Sequence, residues 1–393
     1  DLSHQPFTVG ETTIIFNGAI WNFREIRQYL IDTYNINFNT DGDTEVLAHL
    51  LDKEDLSGLD RIQGMFVVAW TRGNEDITVA RDRHGETPLH YSLLENSLFP
   101  HFTFSSEIKG LRAMGIHYST INMLSPGSYI RATNLDSIKT EKGLWYDIRQ
   151  NLKKNLFTDR DSASQHIKTL VESGSLERTV SAVPVCVLLS GGVDSSVIAL
   201  AALKNIPNLT SYIAVHNEKS KDLYCAREVA EMLNIELVEV KVEPPIVDDV
   251  KDIINTIEMP YKAQVEIAWP CIKLAQRIAS DGFKVVLSGE GSDELWGSYG
   301  MSYHGIKEHG YEEYRLRLFG SQERKNFARC NKIFMKYGVE CRLPFLNTEL
   351  VETALGMEQD IVWNTKSRPK AVLQDSYVNL LPEQIIKRPK MAF

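Results

Sequence analysis

The sequence predicts two domains of different class, an α+β domain built on antiparallel strands followed by an α/β domain with a doubly wound parallel sheet. Three observations lead there. The chain has 393 residues, more than one hydrophobic core ordinarily serves. Up to about residue 135, short strand-like runs crowd around a single helix-like stretch. From Val183 onward, apolar strand-like runs alternate with helical patterns, the order that gives parallel strands with helices on both faces.

In the first domain the strand-like runs are 12–16, 65–70, 77–80 and 102–104, and the helix-like stretch is Phe23–Tyr34. This is an antiparallel pattern. Polar stretches at 134–143 and 153–164 mark a linker, so the expected division is 1–140, a linker over 141–164, and 165–393. The second domain opens with 183–189, apolar throughout and therefore read as a strand buried on both faces. Ser190-Gly191-Gly192 leads from it into helix-like 197–203. Thr210–Val215, a helical pattern through Leu223, Ala226, Val229, Ala230 and Leu233, strand-like 235–242, a helix through Ala275 and strand-like 283–287 complete the alternation. Ligands of such a sheet sit beyond the carboxyl ends of its strands.

Composition narrows the class only broadly. The chain is 43% hydrophobic and 24% charged, with a formal net charge of −9. That balance is ordinary for a soluble globular protein and argues against general affinity for nucleic acid or an anionic membrane. No apolar run reaches the ~18 residues of a membrane span. No secretory leader pattern opens the sequence. The five cysteines are scattered and lack CxxC spacing, which reads as reduced thiols of a cytoplasmic protein, with no structural zinc site.

The chemistry is expected in two loops. Ser190 to Ser196, SGGVDSS, stands between the buried strand and a helix. Two glycines allow a tight turn that aims backbone N–H groups inward, and the helix N-terminus adds partial positive charge. Phosphate binds such places. Ser190 and Ser195 add hydroxyl donors, whereas Asp194 suits a phosphate only through a cation, hence Mg²⁺. The loop has neither the lysine of a Walker A motif nor GxGxxG spacing. The bland alternative is a capped helix after a glycine turn. Ser288 to Glu294, SGEGSDE, follows a later strand, and its three carboxylates repel one another unless a cation intervenes. Asp293 beside Asp194 makes a plausible Mg²⁺ pair for a pyrophosphate leaving group.

On these residues the second domain resembles a known group. SGGVDSS is similar to the pyrophosphate loop of ATP pyrophosphatases, which adenylate their substrates. SGEGSDELWG over 288–297 resembles the signature of the asparagine synthetases. GVECRLPFL over 338–346 resembles that family's GVEARVPFLD segment, and KRPK over 387–390 its loop ending in a lysine. The resemblance implies that Leu189, Ser190, Gly191, Gly192, Asp194, Ser195, Ser196, Val215, Ser288 and Gly289 bind ATP and pyrophosphate. It implies Asp194 and Asp293 as metal ligands, and Glu290 as the carboxylate handling the proton when ammonia attacks. Lys390 would neutralise charge on the adenylate, with Lys332 as a further catalytic residue. β-Lactam synthetases carry tyrosine in place of Glu290. They pair it with a glutamate on the helix where this chain has Asn331-Lys332, so both positions favour intermolecular amidation.

The first domain resembles the class II glutamine amidotransferases. NGAIWNF over 17–23 is similar to their NGEIYNF, DGDTE over 41–45 to an SDxE-like turn, RDRHG over 81–85 to RDRFG, and FSSEIK over 104–109 to FASEIK. An N-terminal-nucleophile αββα sandwich follows from that likeness. Asn17 and Gly18 would form the oxyanion hole, and Asp43 would hold the glutamine amino group. Two departures stand out. That family uses an N-terminal cysteine, whereas residue 1 here is Asp and no cysteine precedes Cys186. The opening Asp1–Phe7 resembles a segment well inside the family's domain, so an N-terminal piece is expected to be missing. Ala19 stands where the family has glutamate.

The acceptor is the most open question. Residues 260–270 align with a family helix reading YDxTTIRAS-P, which puts Ala263 and Gln264 at paired threonines and Glu266 at an arginine. A glutamate suits an amine or polar group rather than an anion; it is equally read as a surface helix position. Glu266, Glu294 and Arg342 are the acceptor-site candidates. The expected activity is ATP-dependent amidation through an acyl-adenylate, with Mg²⁺ as cofactor, L-glutamine as ammonia donor through an interdomain tunnel, and aspartate as the favoured carboxylate. A homodimer is an assembly this allows. The alternatives are a specialised amide or β-lactam-type synthetase with another carboxylate, and a glutaminase-dead binding paralogue.

Overall fold

The computed structural model describes residues 4–73, 76–94, 101–133, 138–300, 302–364 and 368–388. The chain divides into two compact units, Asp1–Ile148 and Arg149–Phe393.

The first unit has nine strands among the described residues: β1 (Phe7–Val9), β2 (Thr12–Ile20), β3 (Gly64–Arg72), β4 (Asp76–Arg81), β5 (His90–Leu94), β6 (His101–Ser105), β7 (Ile121–Met123), β8 (Ser128–Thr133) and β9 (Lys139–Leu144). They form a six-stranded sheet in the order β1-β2-β3-β4-β8-β9 and a three-stranded sheet in the order β6-β5-β7. Side chains alternate along β3, and both faces find partners. Phe66, Val68 and Trp70 meet Ile26, Leu30, Val46, Leu47 and Leu50 of helices α1 (Phe23–Tyr34) and α2 (Asp43–Glu54). Val67 and Ala69 turn the other way, toward Leu89, Leu124 and the rings of Tyr91, Phe102 and Phe104. The layers are therefore helices, large sheet and small sheet. The short α3 (Ile108–Ala113) packs against β5 and β6 of the small sheet.

Two elements differ from expectation. Asp43 opens a 12-residue helix, not a turn. Asp43 and Glu45 fill its first turn, where carboxylates complement the helix dipole. β9 runs across the start of the expected linker, paired along its length with β8. It is an edge strand with mostly exposed side chains, so its sequence is polar and shows no strand periodicity.

The second unit centres on five parallel strands, β10 (Val185–Leu188), β11 (Thr210–Val215), β12 (Glu236–Lys241), β13 (Val285–Leu287) and β14 (Glu340–Arg342). Their order is β12-β11-β10-β13-β14. The chain enters in the middle, runs to one edge, then returns and builds toward the other. The reversal falls between β10 and β13, a topological switch point. The helix Val193–Ala202 packs against Arg160–Glu177, while Lys262–Ser280 packs against Val247–Ile257 and Asn326–Met335. Right-handed crossovers put these two groups on opposite faces. The helix Arg160–Glu177 starts within the expected linker, its N-cap Asp159 accepting from Ser162 N at 2.8 Å.

One buried guanidinium braces this unit. Arg315 donates to the carbonyls of Leu295, Ala354, Leu355 and Met357 at 2.6–3.1 Å. Two of these, Ala354 and Leu355, lie in the last turn of the helix Thr348–Gly356, where carbonyls lack i+4 donors within the helix. The same side chain thereby ties that helix to Ser292–Trp296, which carries the second loop. All five cysteines are free thiols. Among the described residues no helix is long and apolar enough to cross a membrane.

Candidate active site

The first loop leaves β10 and enters the helix Val193–Ala202 with Gly192 as N-cap. Gly191 holds φ +72°, and a Cβ there would come within 2.6 Å of Ala226 N and 2.7 Å of Asp222 O. Only glycine fits a turn pressed that closely onto the next helix. Ser195 Oγ accepts from Ser190 N at 3.1 Å, and Ser196 Oγ donates to Gly192 O at 2.8 Å. Leu189 is fully buried and donates its N–H to Tyr212 O, a ladder bond that anchors the loop's origin. Val215 is buried at the carboxyl end of β11.

The second loop leaves the neighbouring β13 and meets the first directly. A Cβ on Gly289 would stand 3.1 Å from Ser195 N and 3.3 Å from Asp194 Cβ. Ser292 Oγ donates to Asp194 Oδ1 at 2.6 Å. The two carboxylates then share one ammonium group: Lys370 Nζ lies 2.6 Å from Asp194 Oδ2 and 3.0 Å from Asp293 Oδ1. Lys370 is only 5% exposed. Sequence reasoning did not foresee it. The lysine expected to serve the phosphates, Lys390, lies outside the described residues. No sequence signal pointed to Lys370, which the structure shows to be the N-cap residue of the short helix Ala371–Ser376. A cation at that end opposes the helix dipole, so a partner elsewhere has to hold it.

Asp194 and Asp293 offer hard oxygen donors of the kind Mg²⁺ takes. Gly289 leaves the space beside Asp194 clear of a side chain. Among the described residues no set of three or more His, Cys, Asp or Glu side chains could hold a metal ion by itself. Two carboxylates are a donor set of the kind Mg²⁺ takes while keeping water and substrate oxygens in its shell.

A second constellation surrounds Glu290 and Glu294. Glu290 Oε1 accepts from Arg329 Nη2 at 2.9 Å. The buried Arg329 also donates to Gln264 Oε1 at 2.5 Å and Asn326 Oδ1 at 2.8 Å. Asn326 Nδ2 and Tyr299 OH both donate to Glu294 Oε1, at 3.0 and 2.6 Å. Glu294 Oε2 is buried and has no hydrogen-bond partner among the described residues. Burial, and then the neighbouring Glu290, push the Glu294 carboxyl up to about 7. Gln264, Tyr299 and the Asn326–Arg329 pair come from three separate stretches, and of these residues only Gln264 was singled out from the sequence.

The remaining expected residues are placed differently. Lys332 Nζ forms a buried ion pair with Glu258 Oε2 at 2.5 Å. Arg342 donates to Glu340 Oε1 and to the carbonyls of Arg178 and Val180 at 2.5–2.8 Å, tying β14 to the end of the helix Arg160–Glu177. Glu266 is exposed, 3.7 Å from Lys262 one helical turn earlier. It is Gln264, on the buried face of the same helix, that joins the Glu290 constellation.

In the first unit, Gly18 lies inside β2 at φ +142°, and a Cβ would come within 2.0 Å of Met65 O. Asn17 Nδ2 donates to Ser106 Oγ at 3.2 Å. Asp43 Oδ2 accepts from Ile20 N at 3.1 Å. The RDRHG turn is organised by Asp82, whose buried carboxylate accepts from the backbone N–H groups of Phe66, His84, Gly85, Glu86 and Thr87 at 2.6–3.3 Å.

With this geometry in place, comparison with known proteins fixes the class. A model described as a glutamine amidotransferase domain matches residues 1–163, and the asparagine synthase model matches 166–329 and 307–393. Together the two domains define a carbon–nitrogen ligase. The chain is 30% identical to asparagine synthetase (glutamine-hydrolyzing) 1 of Arabidopsis thaliana, over 99% of this chain and 67% of that protein. It is 30% identical to a putative asparagine synthetase of Methanocaldococcus jannaschii over 99% and 78%, and 29% identical to asparagine synthetase B of Escherichia coli over 96% and 68%. The chain belongs to the asparagine synthetase family.

Proposed function

We propose that the enzyme activates a carboxylate with ATP as an acyl-adenylate, releases pyrophosphate, and amidates the activated carbon with ammonia drawn from glutamine. The observation that carries this reading is the meeting of the two loops. Ser292 Oγ reaches Asp194 Oδ1 at 2.6 Å, and Lys370 spans Asp194 and Asp293. Backbone N–H groups at the start of the helix Val193–Ala202 hold the phosphates. Asp194 and Asp293 would hold Mg²⁺, which neutralises charge on the departing pyrophosphate. Lys370, and Lys390 by resemblance, supply ammonium groups to the same oxygens.

Glu290 takes the proton as ammonia attacks, and Arg329 fixes that carboxylate in place. Glu294 Oε2, buried and without a partner among the described residues, is an acceptor suited to an N–H group on the substrate. Aspartate, the carboxylate favoured by the family resemblance, presents such a group and is the leading candidate. A different carboxylate is a second reading, favoured by the buried Gln264 where the family helix has threonine.

Incubation with ATP, Mg²⁺, ammonia and a panel of carboxylates tests the proposal. AMP and pyrophosphate should appear in equal amounts and depend on one carboxylate. ADP and orthophosphate as products would overturn it. Replacing ammonia by glutamine then tests the first domain, with glutamate release matching amide formation as the expected result.

A further inference from the structure

Asp194 and Asp293 stand on loops from two different strands, and both carboxylates touch one ammonium group. Two carboxylates this close in a poorly hydrated site repel strongly unless a cation lies between them. Lys370 supplies that cation from within the chain. The oxygens it occupies are those proposed for the metal, so lysine and metal compete for them. The protein offers the metal few donors beyond this pair, because no larger set of His, Cys, Asp or Glu that could hold an ion exists among the described residues. A bare divalent ion therefore has to displace a covalently attached rival while gaining two carboxylates as its charged protein ligands. A metal arriving with a triphosphate is differently placed. The phosphate oxygens complete its shell, and they also offer the displaced ammonium group new anionic partners. The lysine's flexible four-carbon stem can make that move without the backbone following.

We infer that Lys370 is a resident counter-ion that closes the Asp194–Asp293 pair to free divalent metal and yields it when metal and polyphosphate arrive together. Metal and nucleotide binding are then coupled through one side chain. This inference rests on the proposed metal pair and adds to it an order of events.

Mn²⁺ serves as the probe, its binding to the full chain followed by electron paramagnetic resonance with and without a non-hydrolysable α,β-methylene ATP. Wild type alone should bind Mn²⁺ only weakly, and the nucleotide analogue should tighten binding at least tenfold. Lys370→Met without nucleotide should bind Mn²⁺ at least tenfold more tightly than wild type, and Mn²⁺ should raise its melting temperature while leaving that of wild type unchanged. Equal Mn²⁺ affinity of the two proteins without nucleotide would overturn the inference. If the variant does not fold, wild type decides alone, since tight Mn²⁺ binding without nucleotide refutes the inference and weak binding with analogue-dependent tightening supports it. Failure of wild type to bind Mn²⁺ even with the analogue would instead sink the metal pair itself.

Discussion

The two domains hold their functional residues by different means. In the first, positions are set by main chain. Gly18 presses on Met65 O, Asp43 accepts from Ile20 N, and Asp82 gathers five backbone N–H groups. In the second, side-chain charges from distant segments hold one another: Asp194 and Asp293 through Lys370, Glu290 through Arg329. The first arrangement is sensitive to added volume and tolerates charge changes on exposed faces. The second is sensitive to the removal of one charge, because the partner is left in a poorly solvated site. Shape governs one site, and charge balance governs the other.

Substitutions can break or sharpen that contrast. The largest effect is expected from Asp194→Asn, which is nearly isosteric but removes a charge. Pyrophosphate release should fall on the order of 1,000-fold, whereas the melting temperature changes little because Lys370 keeps Asp293 as its partner. Near-normal release would remove Asp194 from the metal pair. Gly18→Ala adds one methyl group where 2.0 Å is available at a φ that side chains rarely adopt. It should cost the first domain about 3 kcal/mol in denaturant unfolding, from strain and overpacking together. A wild-type-like midpoint would show that the strand is not packed as described. Glu290→Gln should leave carboxylate-dependent pyrophosphate release measurable and lower amide formation about 100-fold. Equal loss of both products would place Glu290 in adenylation instead. Smallest is Glu266→Gln, whose exposed carboxylate pairs only loosely with Lys262. Stability should change by less than about 0.5 kcal/mol, and the KM for the carboxylate should hold. A severalfold rise in KM would return Glu266 to the acceptor site.

The sequence conveyed the parallel unit well because its signals are local. Apolar runs bounded by glycine turns marked four of its strands, and the loops after β10 and β13 were legible from their glycines and carboxylates. The helix Phe23–Tyr34 was legible from the spacing of apolar residues such as Ile26 and Leu30, which face its core. What escaped was non-periodic or non-local. β14 is three residues long, too short to show a period, and β9 is a polar edge. Glu294 depends on Asn326, 32 residues on, and Arg329 on Gln264, 65 residues back. No window of sequence contains such a pair. Lys370 sits in an Arg-Pro-Lys run that looks like a solvated loop, and burial against Asp194 and Asp293 is what distinguishes it. For Lys390 the reverse holds: a motif-like setting drew attention to it, while its position lies outside the described residues.

The ammonium group that balances Asp194 is supplied 176 residues later along the chain. At ribosomal rates of ~5–20 residues per second, roughly 10–35 s separate the emergence of the two. Through that interval the nascent second domain carries a nucleotide loop whose negative charge has no covalently linked partner. Completion of the site therefore waits for Lys370 to emerge, and a polypeptide interrupted between the two residues would display the loop without its counter-ion.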